Sequence, residues 1–381
     1  MELHQSLSLL IIALGAFFIP LISNQLHIPP VVGEILFGFI IGNSGLKIIA
    51  CSSWFCFLSN FGFLILMFIS GMELDFNEIE KRGSFKGILF GLLFFMLTFC
   101  FAYLFSFKLG FGIYLALVLS TTSVGLVIPT LKDSGLSKTS FGQDIIIVAL
   151  IADFLTLLGI TVFDMYTKFG FNFKILALGL AFLLSILFLL GLKLFVWWNP
   201  KIFARIFSSK EYSEIGVRAC FALMFSFVSI SAMFGLEPIL GSFMAGAVFS
   251  MIFRGKTGIE EKISGIGFGF LIPIFFIGVG ISFDISDLLN FNMIVLLLEL
   301  IFASFLVKIL PSFLFFFRKF SFKQSISGGI LISARLSLIL AAASIGLELG
   351  ILSPQMNSSI ILLAVVTSSL APVLFKFLSK R

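Results

Sequence analysis

A chain of 381 residues in which 59% of the side chains are hydrophobic and only 12% are charged cannot be an ordinary soluble domain. Its formal charge of +6 sits in short loops between long apolar runs, so it reads as a topology signal rather than as a nucleic-acid footprint. With 53 Phe and 34 Gly, and segments too long to be the alternating strands of an outer-membrane barrel, the composition predicts an all-α polytopic membrane protein.

Apolar runs predict about thirteen spans. They cover residues 6–24, 28–46, 55–72, 85–107, 110–131, 141–164 and 174–197, then 215–235, 237–253, 264–282, 292–317, 325–347 and 357–378. The junctions near His27 and Glu237 contain Pro, which makes a turn or a kink. No Lys or Arg precedes the first run, so it is read as a retained helix rather than a cleaved signal peptide. Most Lys and Arg fall in the loops after odd-numbered spans and at the C-terminus, whereas the opposite side holds Lys47, Lys108, Lys168 and Lys174. The positive-inside rule then puts the N-terminus outside and the C-terminus in the cytoplasm of a multi-pass inner-membrane protein.

Two stretches repeat. Phe61-Gly62-Phe63-Leu64-Ile65 opens a run ending in Gly71, and Phe268-Gly269-Phe270-Leu271-Ile272 opens one ending in Gly278 and Gly280. Glu34-Ile35-Leu36-Phe37-Gly38 with Gly42 is echoed by Glu237-Pro238-Ile239-Leu240-Gly241 with Gly246. The copies lie on spans three and ten, an odd number of spans apart, which implies an inverted-topology repeat about span seven.

Polar residues inside the spans carry the chemistry. Span five contains Ser120, Thr121, Thr122 and Ser123, followed by Gly125 and Pro129, a composition that weakens a helix and predicts a break at membrane depth. Span six carries Asp153 among Ile, Val, Leu and Ala. A carboxylate at a helix centre costs roughly +2.5 to +3.5 kcal/mol, so compensation by a cation, a proton or water is expected. Span eleven carries Lys308, too deep for easy snorkelling and expected to pair with Asp153. Glu299 lies nine positions away on the same helix, about 13 Å, which excludes a direct pair with Lys308 and favours a peripheral role. Span twelve, the counterpart of span five, places Ser333, Arg335 and Ser337 mid-span, and paired interruptions of this kind mark a midplane site. Arg335 is read as support for nearby acids or for the carbonyl ends of a broken helix.

Glu34, Glu73, Asp75, Asp144 and Glu237 fall near span ends, where solvation at the interface is the expectation. The four cysteines form no CxxC pair and are read as small apolar packing. No phosphate loop, nucleophile constellation or His/Cys metal cluster occurs, so neither an enzyme nor a bound cofactor is expected.

The segments from Gly33 to Leu46 and from Phe61 to Asp75, the Ser120–Ser123 run, the Asp153 segment, Pro273 through Gly280, and Lys308 together resemble the monovalent cation:proton antiporter-2 family of NapA-like and Kef-like antiporters, over essentially the whole chain. The resemblance implies a sodium/proton-antiporter-like fold with two discontinuous helices. It also implies a homodimer and an elevator motion within a single transmembrane domain. The scaffold would comprise residues 1–84 and 198–290, the transport core 85–165 and 291–381, and a linker helix 174–197. It implies that the position of Asp153 binds a monovalent cation or a proton in competition, and that the position of Lys308 pairs with it when the cation is absent.

Two departures stand out. Ala152 occupies the place of a second polar residue, and Ser337 replaces an acid often found two places after the arginine. Kef-like members append a cytoplasmic regulatory domain; with Arg381 the last residue, such a gate is expected as a separate subunit. The predicted function is exchange of Na+ or K+ for H+ by alternating access, with Thr121, Thr122 and Ser123 completing the Asp153 site. A gated potassium-efflux channel component and a sodium-coupled organic-anion carrier are the alternatives.

Overall fold

The computed structural model describes residues 3–25, 29–42, 45–49, 52–72, 85–170, 214–233, 238–253, 258–282 and 291–379. Among these, nine helices are long and apolar enough to cross a membrane, or ten if the bent pair Phe322–Ile332 and Ser337–Glu348 counts as one span. The expected span 174–197, with His27, Glu73, Asp75 and Glu237, lies outside the described residues.

In chain order the helices are α1 (Leu3–Gln25), α2 (Pro30–Ile41), α3 (Ser53–Met72), α4 (Phe85–Lys108), α5 (Gly112–Ser120), α6 (Val124–Asp133) and α7 (Ser140–Phe169). They continue as α8 (Ile215–Met233), α9 (Pro238–Phe253), α10 (Ile259–Ile266), a π-helical turn (Gly267–Leu271), α11 (Ile272–Ser282) and α12 (Phe291–Ser312). A 3-10 segment (Phe313–Arg318), α13 (Phe322–Ile332), α14 (Ser337–Glu348) and α15 (Pro354–Ser379) complete the chain. Every expected span within the described residues meets a helix or a broken pair. The tenth begins earlier than its apolar run, because the amphipathic α10 leads into the π turn at the second Phe-Gly-Phe-Leu-Ile copy.

The chain divides into two compact units. One comprises Met1–Ala50, Glu78–Ile160 and Val279–Arg381, the other Cys51–Asn77 and Thr161–Gly278.

In the second unit the two copies of the repeat touch. A side chain at Gly62 would collide with the carbonyl of Leu271, and the rings of Phe63 and Phe275 stack with centroids 4.6 Å apart. In the same unit α9 presses Gly246 against the backbone of α3 at Phe68, and Ser242 Oγ donates to Leu64 O at 2.5 Å. Within the first unit, Gly42 of α2 meets the backbone of Ile281, and Gly280 meets that of Ile35 and Phe39. The α2–α11 and α9–α3 contacts thus join a first-repeat helix to a second-repeat helix with the partners exchanged, as an internal repeat allows, whereas Gly269, the counterpart of Gly62, has nothing within 4 Å of it.

The first unit contains both broken spans. Helix α5 ends at Ser120 and α6 begins at Val124, with Thr121 (φ −55°, ψ 154°) and Ser123 (φ −131°, ψ 105°) extended between them. Ser, Thr and the nearby Pro129 supply weak helix formers where the chain must leave the helix. Helices α13 and α14 are bent by 46° across Ser333–Leu336. Helix α13 opens with a reciprocal cap in which Ser321 and Gln324 satisfy each other's backbone N–H groups.

Candidate functional site

The break between α5 and α6 leaves carbonyls at the end of α5 without helical donors. Lys308 of α12 reaches them: its Nζ donates to Ser120 O at 2.6 Å and to Thr122 Oγ1 at 3.0 Å. Lys308 is completely buried, as are Ser120, Thr121 and Thr122. When protonated, a lysine at the C-terminal end of a half-helix offsets the negative end of its dipole.

Asp153 lies on α7, 6% exposed, and both its carboxylate and the guanidinium of Arg335 act electrostatically on the Lys308 ammonium, with opposite sign. One turn on, Thr156 Oγ1 donates to Ala152 O at 2.6 Å. The structure thus gathers Lys308, Ser120 and Thr122 by hydrogen bonds and brings Asp153 and Arg335 within their electrostatic reach.

The hydroxyl run divides by role. Ser120 Oγ donates back to Ala116 O at 2.7 Å and Thr121 Oγ1 to Val118 O at 2.8 Å, so both are committed to their own helix. Thr122 alone of the run directs its hydroxyl oxygen to the lysine. Ser123 is buried at the start of α6 without capping it through its side chain. On the second broken span Ser333 Oγ bonds back to Gly329 O at 2.8 Å, and Ser337 is buried in the first turn of α14.

Arg335 is completely buried in the break, where its Nη2 donates to Ser304 O on α12 at 2.8 Å. It therefore ties the second break to the helix that carries Lys308. Tyr114 makes a bridge that sequence reasoning missed. Its buried hydroxyl donates to Ala342 O at 2.5 Å and so joins α5 of one broken span to α14 of the other. A lone aromatic in an apolar run gave no signal for this.

Three expectations change. Asp144 is buried and engaged by Arg318 through two hydrogen bonds, rather than solvated at a span end, because the 3-10 segment carries the arginine back to α7. Glu34 is likewise buried, at 4% exposure, on the inner face of α2. Cys56 is disulfide-bonded rather than packed as a free thiol; Cys100 and Cys220 are free. Glu299 is exposed on α12, which fits its peripheral assignment. Among the described residues no group of three or more His, Cys, Asp or Glu side chains gathers.

The sequence model of the family described as "Sodium/hydrogen exchanger, transmembrane" matches residues 12–381. The chain belongs to that family. The chain is 36% identical to the "Putative Na(+)/H(+) antiporter YjbQ" of Bacillus subtilis over 98% of its length, and it spans 63% of that relative's length. It is 26% identical to the "Na(+)/H(+)-K(+) antiporter GerN" of Bacillus cereus, covering 93% of this chain and 91% of that one. The fold is that of the sodium proton antiporter MjNhaP1 from Methanocaldococcus jannaschii, with a TM-score of 0.68, coverage of 100% and 99% of the two chains, and 16% identity.

Proposed function

We propose that this exchanger is a secondary active antiporter that trades a monovalent cation, Na+ or K+, for H+ across the membrane. The observation that carries the reading is the buried Lys308 ammonium, bonded to Ser120 O and Thr122 Oγ1 at a helix break and subject to the field of the Asp153 carboxylate. Names of relatives support the same class, one of them pairing sodium with potassium.

In this reading Asp153 takes either one cation or one proton. A cation at Asp153 would be neutralised by the carboxylate and find an oxygen in Thr122, while Lys308 and Arg335 oppose a second positive charge nearby. A proton would neutralise the same carboxylate. Only a charge-compensated core crosses the bilayer readily, because an uncompensated ion in hydrocarbon is costly. Exchange then follows from competition for one group, with access alternating between the two sides. The mechanism calls for no cofactor. If Lys308 holds its proton throughout, the exchange is electrically silent; if it releases one, net charge moves, worth about 2.3 kcal/mol per elementary charge per 100 mV.

The finer assignments form part of the proposal. They are a NapA-like or Kef-like branch, an inner-membrane protein with its N-terminus outside, and a homodimer with an elevator motion. The transport core is 85–165 with 291–381 and the scaffold 1–84 with 198–290. The role in the cell would be pH homeostasis.

The test is proton movement in proteoliposomes on addition of sodium, potassium or lithium, with voltage clamped or free, in wild type and Asp153→Asn. Cation-dependent proton flux that disappears in the variant is the expected result. A cation conductance without obligatory proton movement would instead make the protein a channel component.

A further inference from the structure

Helix α7 carries two buried carboxylates. One is Asp153, whose charge acts on the Lys308 ammonium, and nine residues earlier the same helix carries Asp144. At 3.6 residues per turn nine positions amount to two and a half turns, so the two carboxylates project from opposite faces, about 13 Å apart along the axis. The back face is fixed by contacts of a different kind. Ile147 and Ile151, on the stripe of Asp144, pack against Gly87 and Gly91 of α4.

Asp144 itself takes a two-pronged ion pair. Arg318 donates Nε to Oδ2 at 3.0 Å and Nη2 to Oδ1 at 2.7 Å. The guanidinium also lies over the ring of Phe90, 5.2 Å from its centroid. Arg318 closes the 3-10 segment that continues α12, ten residues beyond Lys308.

That segment is anchored by Phe315, which is completely buried. Its ring lies 5.3 Å from that of Phe90 and 5.9 Å from that of Phe94 on α4, and 5.7 Å from that of Phe141 on α7. Helix α13 closes on the same cluster at Gly328, where an added Cβ would sit 3.2 Å from Phe141 and 3.3 Å from Phe315. A paired carboxylate and guanidinium fix angle as well as distance, unlike a lysine contact.

We propose that Asp144 and Arg318 are positioning residues for the ion site: their paired hydrogen bonds set the roll and axial position of α7 relative to α12, and so the placement of Asp153 against Lys308. This rests on the reading of Asp153 and Lys308 as the ion site. Asp144 does not touch the cation. It acts through the helix that carries Asp153, where a misplacement of about 1 Å caused by a distant substitution can cost on the order of 100-fold.

The test uses the full chain with Asp144→Asn, Arg318→Gln, Arg318→Lys and the charge exchange Asp144→Arg/Arg318→Asp. Sodium-driven proton flux gives apparent KM and Vmax, and sodium-induced thermal stabilisation in detergent reads binding without transport. Loss of either partner is expected to raise KM and the half-saturating sodium for stabilisation on the order of tenfold, with Vmax changed far less. Arg318→Lys falls between these and wild type, and the exchange returns both values toward wild type.

Singly substituted proteins that stay folded with wild-type sodium KM and stabilisation would overturn the inference. So would a folded exchange variant as impaired as the single ones. If a single variant does not fold, the exchange and the lysine variant decide by the same two values. If wild type shows no cation-driven proton flux, the antiport reading fails, while the stabilisation series still reads the positioning role.

Discussion

The ammonium of Lys308 lies 2.6 Å from the carbonyl oxygen of Ser120, the last residue of the first half of a broken span. The lysine therefore has a structural task that does not depend on an acidic partner, since it supplies the donor that the break removed. Charge and hydrogen bonding are separable by substitution. Lys308→Gln can still donate to Ser120 O, whereas Lys308→Ala leaves a buried carbonyl without that donor, at a cost of about 1–3 kcal/mol. The alanine variant is expected to melt below the glutamine variant, as detergent thermal melts would show. Both should lose the voltage dependence of transport, if any is found in wild type. Equal melting of the two variants would remove the capping role.

The hydroxyls of span five are expected to respond unequally. Thr122 directs its oxygen to Lys308, while those of Ser120 and Thr121 return to Ala116 O and Val118 O. Thr122→Ala should therefore raise the apparent KM for the cation, and Thr122→Ser should recover most of it. Ser120→Ala and Thr121→Ala should leave KM near wild type, with stability changes of about 1 kcal/mol or less. Ion-flux titrations of the four variants under one pH gradient check this. A KM raised as much by Ser120→Ala as by Thr122→Ala would contradict it.

Composition and periodicity made the fold readable because membrane insertion demands long apolar segments, and the polar exceptions within them then stand out. Asp153, Lys308 and Arg335 were visible for that reason, and Ser, Thr, Gly and Pro marked where the helices break. What a hydroxyl does in its break was not visible, because a bond to its own helix and a bond across the site leave the same residue in the sequence. Asp144 misled for another reason. A carboxylate near a span end is ordinarily wet, and only the 3-10 turn after Ser312 brings Arg318 within reach of it. Tyr114 was hidden among apolar neighbours, and its role depends on a partner 228 positions away.

Tyr114→Phe isolates that role. The ring keeps its packing beside Gly346 while the hydroxyl bond to Ala342 O is lost. A loss of about 1 kcal/mol of stability is expected from a buried hydrogen bond whose acceptor keeps its helical partner. Because the bond joins the two broken spans, hydrogen exchange should rise in α5 and α14 more than in α3 or α9. Exchange changes spread evenly over all helices would argue against a local bridge.

The close approach of α9 to α3 gives a prediction far from the charges. Gly246 faces the Phe68 carbonyl so closely that a Cβ there would overlap it, and Phe249 packs its ring 6.3 Å from that of Phe68. Small residues at such crossings let backbones approach, which matters where apolar burial alone cannot drive helix association. Gly246→Ala should force the helices apart, at a cost of about 1–3 kcal/mol typical of overpacking, and Gly246→Leu should cost more. Thermal melts and the yield of monodisperse protein measure this. Since the contact is backbone against backbone, a smaller side chain at Phe68 should not rescue Gly246→Ala. Rescue by Phe68→Ala would mean that side-chain crowding, rather than the backbone, sets the distance.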